Sequence, residues 1–69
     1  MNDAQIRPGV QVYCVHDQRF RNTERRVIAA VDDKTVEIEI TGHCGSFIIH
    51  RLRETVRNGY AVEDGGTGL

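Results

Sequence analysis

Residues Thr35 to Thr41 read "TVEIEIT", in which Val36, Ile38 and Ile40 alternate strictly with Glu37, Glu39 and Thr41. A period of two puts successive side chains on opposite faces of an extended chain, so this segment is a strand with one face against a core and the other in water. The remaining sequence has to supply its partners. "PGVQVYCV", from Pro8, is a first strand with Val10, Val12 and Cys14 on one face; "RRVIAAV" is a second, and "DDK" turns into the alternating segment. After it the glycine-flanked "GHCG" closes a hairpin into "SFIIHRL", where Phe47 and Ile49 point one way and Ile48 and His50 the other. "RLRETVRNG" spaces Leu52 from Val56 and Arg53 from Arg57 by four, one or two turns of amphipathic helix stopped by Asn58-Gly59. Tyr60 to Glu63 forms a short last strand.

Between the first two strands "HDQRFRNTER", His16 to Arg25, has neither a strand nor a helix period and reads as a long loop. Strand, long loop, three strands joined by tight turns, a helical turn and a final strand is the order of an all-β, small five-stranded SH3-like barrel. An oligonucleotide-binding barrel would want a longer chain and a helix between its third and fourth strands. The barrel is expected over residues 8–63, with a disordered N-terminal segment over 1–7 and a flexible tail over 64–69. A chain of 69 residues buries only about 60% of the surface that it exposes when unfolded, so a partner or a second copy is a natural complement to its core.

The net charge of −1 argues against a surface built throughout for phosphate, but the charges are unevenly spread. Arg19, Arg21, Arg25 and Arg26 fall in one stretch and Arg51, Arg53 and Arg57 in another, while Asp32, Asp33, Glu37, Glu39, Glu63 and Asp64 lie elsewhere. Two cysteines and no charged-then-apolar leader lead to the expectation of a cytoplasmic protein, and no apolar run approaches the roughly 20 residues of a transmembrane helix.

"GVQVYCV" followed by "VEIEITGHCGSFIIHRLRE" resembles the plasmid-borne type II dihydrofolate reductases, small SH3-like chains that assemble as tetramers around a pore. Gly9 and Val12 match that family's opening strand, His43, Gly45 and Ser46 its turn, and Phe47, Ile48, Ile49 and His50 stand at its next strand. The resemblance covers about half of the chain and implies a fold more than an activity. Where the family has its ligand-holding lysine this chain has Cys14; its glutamine is Ile48 and its tyrosine His50, with only Ile49 kept. Isoleucine offers a pteridine no hydrogen bonds, so reductase activity is not expected.

Cys14, His16, His43 and Cys44 are the ligand types and the number that a structural zinc takes. Their spacing does not suit it, because neighbours such as His43 and Cys44 point to opposite faces of a strand. The simpler reading makes Cys14 a small buried hydrophobe and His43-Cys44 an exposed turn. Neither cysteine has an evident oxyanion pocket, and no enzyme activity and no cofactor are expected.

Gln18, Arg19, Phe20, Arg21 and Asn22 carry the strongest binding signal, an aromatic ring between two guanidiniums. That mixture can stack on a base and hold its phosphates, as single-strand and RNA binders do. It is equally an anchor for a protein partner, or a core plug with solvated arginines paired to Asp17 and Glu24. Arg25, Arg51, Arg53 and Arg57 extend the strip if the helical turn lies beside the loop. Tyr13, Val15, Ile28 and Ile48 fall on faces opposite the expected core and form a candidate homodimer or docking patch, which Tyr60 joins unless it is core. The sequence therefore predicts a non-enzymatic binding module contacting nucleic acid through the Arg-Phe-Arg loop. The alternative is a module, or small phage- or plasmid-type regulator, that docks on a larger protein by its apolar strand faces.

Overall fold

The computed structural model describes residues 1–63; the expected tail lies outside the described residues. The alternating segment is the strand β3, Thr35–Gly42, with β2, Arg25–Val31, on one side and β4, Gly45–Leu52, on the other. The strand β1, Gln11–Cys14, pairs with β2 and with β5, Tyr60–Val62, which follows the short helix α1, Arg53–Gly59. All pairings are antiparallel in the order β4-β3-β2-β1-β5, an all-β, small barrel-like fold as the sequence predicts. Among the described residues no helix is long and apolar enough to cross a membrane.

Val36, Ile38 and Ile40 enter the core, where they meet Val12 of β1, Ile28 of β2, Val56 of α1 and Tyr60 of β5. Fully burying each aliphatic side chain contributes roughly 1.5–3 kcal/mol before the entropy of ordering it is set against the gain. Val10, Cys14, Val31 and Ile49 pack against this cluster half-buried. Tyr60 is a core residue.

Three expectations are corrected. Ile28 is 1% exposed and belongs to the core, not to a docking patch. The β2–β3 register shifts between Ile28 and Ala30, so Arg26 and Ile28 pair with Ile40 and Ile38 on the inner face, and beyond the shift Val31 pairs with Val36 there. One extra residue reverses the parity of a strand, and reading "RRVIAAV" as unbroken puts Ile28 on the wrong side. Secondly, the N-terminal segment is ordered. Asn2 and Gln5 form a reciprocal capping box around a 3₁₀ turn over Asp3–Gln5, and Ile6 enters the core. The Asp3 carboxylate accepts from Arg53 Nε at 3.3 Å and Arg57 Nη1 at 3.2 Å, and the Met1 amino group donates to the carbonyls of Arg57 and Tyr60. Thirdly, Leu52 ends β4 and is 59% exposed, leaving Val56 alone as the buried residue of α1.

Candidate functional site

The loop from Val15 to Glu24 is built around one carbonyl. Phe20 O accepts from the backbone N–H of Thr23 at 3.2 Å and of Glu24 at 2.9 Å, with the Thr23 hydroxyl and Arg26 Nη1 each at 3.5 Å. Arg26 reaches it from the inner face of β2, where it is 9% exposed; its Nη2 donates to Glu24 Oε1 at 2.9 Å. The backbone of Phe20 is thus tied to the barrel, yet its ring is 50% exposed. Phe20 is not a core plug. Pinning the carbonyl inward while the ring projects outward presents an aromatic surface at little further conformational cost.

The arginines that flank Phe20 are engaged with carboxylates. Arg19 donates Nε and Nη2 to Asp17 at 2.9 Å each, and its guanidinium lies 5.6 Å from the centre of the Phe20 ring. Arg21 binds Glu63 through Nε and Nη2 at 2.7 and 3.0 Å, bonds Gln18 through Nη1, and stacks 3.5 Å from the centre of the Tyr13 ring. Asn22 is exposed on the same loop.

The side-chain hydrogen bond from Arg19, and after it the bond from its backbone N–H, lowers the Asp17 pKa from 3.8 to about 2. A carboxylate whose folded pKa lies below its unfolded value stabilises the folded loop above about pH 4, and that contribution disappears as the pH falls through about 2. An NMR titration of the Asp17 carboxyl carbon should inflect near the lower value, and Arg19→Gln should return it towards the ordinary carboxylate range. An inflection unmoved by that substitution would rule out the pairing as the cause.

Two open hollows border Phe20. One, of about 440 Å³, lies between Phe20, Thr23 and Glu24 of the loop and Gly42 to Phe47 of the β3–β4 hairpin. The other, of about 300 Å³, runs from Asp17, Phe20 and Arg26 to Ile49 and Arg51 on β4 and to Cys14 and Tyr60. Phe47, 57% exposed, shares the inner face with Ile49 as its alternation predicts, but it lies on the outermost strand, where among the described residues no further strand covers it. The hairpin sets that position. The turn residues His43 and Cys44 have ordinary negative φ, and the left-handed angle falls on Gly45 at φ 118°, which a glycine adopts without a Cβ penalty.

Of the predicted strip, only Arg51 joins Phe20 at a hollow. Arg53 and Arg57 clamp Asp3, and Arg53 also donates to the Asp32 carbonyl at 3.0 Å; neither lines the hollows beside Phe20. Arg25 is exposed at the start of β2, opposite Thr41 on the outer face. The proposed apolar patch is not contiguous: Ile28 is buried, Tyr13 lies half-buried under Arg21, and Val15 follows β1, which β2 and β3 separate from Ile48 on β4. Cys14 faces the core, His16 lies beside Gly59, and His43 and Cys44 are exposed at the hairpin turn. Among the described residues no group of three or more His, Cys, Asp or Glu is placed to hold a metal ion.

Phe47 and Arg26 are the site residues that sequence reasoning missed. Phe47 alternates as a core residue does, and its accessibility follows from the strand order, which no local pattern announces. Nothing in the sequence marks Arg26 among its neighbouring arginines as the buried one. Comparison with protein families, curated proteins and solved structures finds no match to this chain.

Proposed function

We propose that this protein is a binding module for a protein partner, holding an extended apolar segment between Phe20 and Phe47 with Arg51 facing a carboxylate beside it. The observation that carries the reading is the Phe20 ring, left half-exposed by a backbone that Arg26 and the loop amides tie down. A rigid aromatic presented over a hollow is the anchor arrangement of protein interfaces. The uncommitted charge at that position is positive: Asp17 and Glu24 are neutralised by Arg19 and Arg26, whereas Arg51 makes no ion pair among the described residues and donates only to the His50 carbonyl. That favours an acidic group in the partner.

Nucleic acid is the weaker candidate. Binding to a phosphate backbone draws on free cations, and here Arg19, Arg21, Arg26, Arg53 and Arg57 all face carboxylates within the chain. The chain binds, in this reading, and does no chemistry.

A peptide display library panned on the immobilised protein tests the proposal. Recovered sequences should carry an aromatic or aliphatic anchor next to Asp or Glu. Their affinity should fall about 10- to 100-fold in Phe20→Ala, with a smaller loss in Arg51→Met. Failure to recover any sequence that depends on Phe20 would reject the reading.

A further inference from the structure

The two edges of the sheet are unequal. The edge at β5 is three residues long, and its Tyr60 carbonyl is taken by the Met1 amino group, with Asp3 clamped nearby by Arg53 and Arg57. The edge at β4 is eight residues long and carries Phe47, Ile48 and Leu52 at 57%, 43% and 59% exposure. Its backbone polarity follows from the hairpin. Gly42 pairs with Gly45 across the two-residue turn, and Arg53 N–H donates to the Lys34 carbonyl at the far end at 2.7 Å. Between those points the odd residues of β4 direct their N–H and C=O groups to β3, whereas Ser46, Ile48, His50 and Leu52 direct theirs to the open side. One of those outward carbonyls already has a substitute donor: Arg51 Nη1 bonds His50 O at 2.8 Å. Long apolar edges of this kind pair with another strand unless something blocks them.

We infer that β4 pairs antiparallel with β4 of a second copy of this chain, on a two-fold axis at Ile49, joining two five-stranded sheets into one. This goes beyond the binding reading above, which needs only one copy. The occupant is argued from self-complementarity. With Ile49 on the axis, Ile48 meets His50 of the other copy, Ser46 meets Leu52, and Phe47 meets Arg51. All four outward residues then join the ladder, giving about eight hydrogen bonds, whereas an axis at Ile48 leaves Leu52 overhanging. Arg51, the one charged residue of β4, faces an aromatic ring in place of its own copy. The two Arg51 side chains stand four residues apart along the strands, about 14 Å and so beyond the Debye length at physiological salt. The β5 edge is only three residues long and its Tyr60 carbonyl is held by Met1, so it offers β4 little to pair with, and β4 pairing with β4 closes the assembly as a dimer without growing into a fibre.

Sedimentation velocity in reducing buffer, which excludes linkage through Cys44, should show a dimer forming as the chain is concentrated to about 1 mM. Ile48→Pro removes an N–H that points away from β3, so the protomer ladder is kept while the pairing is blocked. That variant should sediment as a monomer with an unchanged far-ultraviolet circular dichroism spectrum. Ile48→Lys, which keeps the backbone intact, should weaken the dimer about 100-fold or more. Hydrogen exchange at Ile48 and His50 should slow with concentration in the native chain alone. Phe20→Ala should leave the dimer unchanged, separating this result from that of the peptide selection. A native chain that stays monomeric at the highest concentration, or a dimer that survives Ile48→Lys, would overturn the inference.

Discussion

Ile28→Ala should lower the stability of the chain by about 2–5 kcal/mol, the largest loss expected from a single truncation on β2. Ile28 is 1% exposed and sits opposite Ile38 on the inner face, so removing its outer carbons leaves a void that the surrounding strands fill only partly. A domain of this size has a total stability of roughly 3–10 kcal/mol, so the variant should be substantially unfolded or close to it at 37 °C. Urea denaturation at high dilution measures the effect, with Ile48→Ala as the comparison. Ile48 is half-exposed, and its truncation should cost less than about 1 kcal/mol. In an unbroken reading of the strands both isoleucines fall on the outer face of the sheet, one on β2 and one on β4; equal losses would mean that the register shift at Ala29 is absent and that Ile28 faces solvent.

Arg26→Ala should cost about 2–4 kcal/mol and loosen the loop that presents Phe20. The guanidinium is nearly buried, donates to Glu24 Oε1 at 2.9 Å, and lies 3.4 and 3.5 Å from the carbonyls of Glu24 and Phe20. Removing it strands a carboxylate that is itself largely covered. Glu24 keeps some solvent exposure, which places the expected loss below that of a fully buried pair. Arg26→Met, which retains the packing of the stem, should recover part of the stability but not the order of the loop. The discriminating readout is hydrogen exchange at the Thr23 and Glu24 amides, both of which donate to Phe20 O. Exchange should accelerate in both variants, and partner binding should weaken with it. Native-like exchange in Arg26→Met would show that the loop holds its shape without that guanidinium.

Much of this architecture is legible in the sequence because "TVEIEIT" and "SFIIHRL" have a period that only a strand satisfies, and because a glycine-bounded turn of two residues leaves one way to connect them. The long first loop and the helical turn ended by Asn58-Gly59 follow from the same kind of local signal. What is hidden depends on residues far apart in sequence. The inward turn of Ile28 depends on a bulge that forms only when β2 is laid against β3. The ordered start of the chain depends on Ile6 finding the core and on Asp3 meeting Arg53 and Arg57, some fifty residues away. Phe47 alternates as a core residue should, and its exposure follows from the place of β4 at the end of the strand order among the described residues, a property of the sheet and not of the strand. The arginine-flanked phenylalanine was legible as a feature of interest. Asp17, two residues from Arg19, was already offered by the sequence as a partner, whereas Glu63, 42 residues from Arg21, could not be assigned without the fold, and these pairings shift the balance between a nucleic-acid and a protein partner.

The central claim is that the surface around Phe20 recognises protein through an aromatic anchor. It is tested most directly by titrating the isotope-labelled chain in parallel with a display-selected peptide and with a single-stranded oligonucleotide, at low and at high salt, while following the resonances of the Phe20 and Phe47 rings. The account predicts saturable shifts of both rings with the peptide that persist at high salt, and none of comparable size with the oligonucleotide. Saturable shifts with the oligonucleotide that fade steeply as salt is raised, with the peptide leaving both rings unmoved, would contradict it.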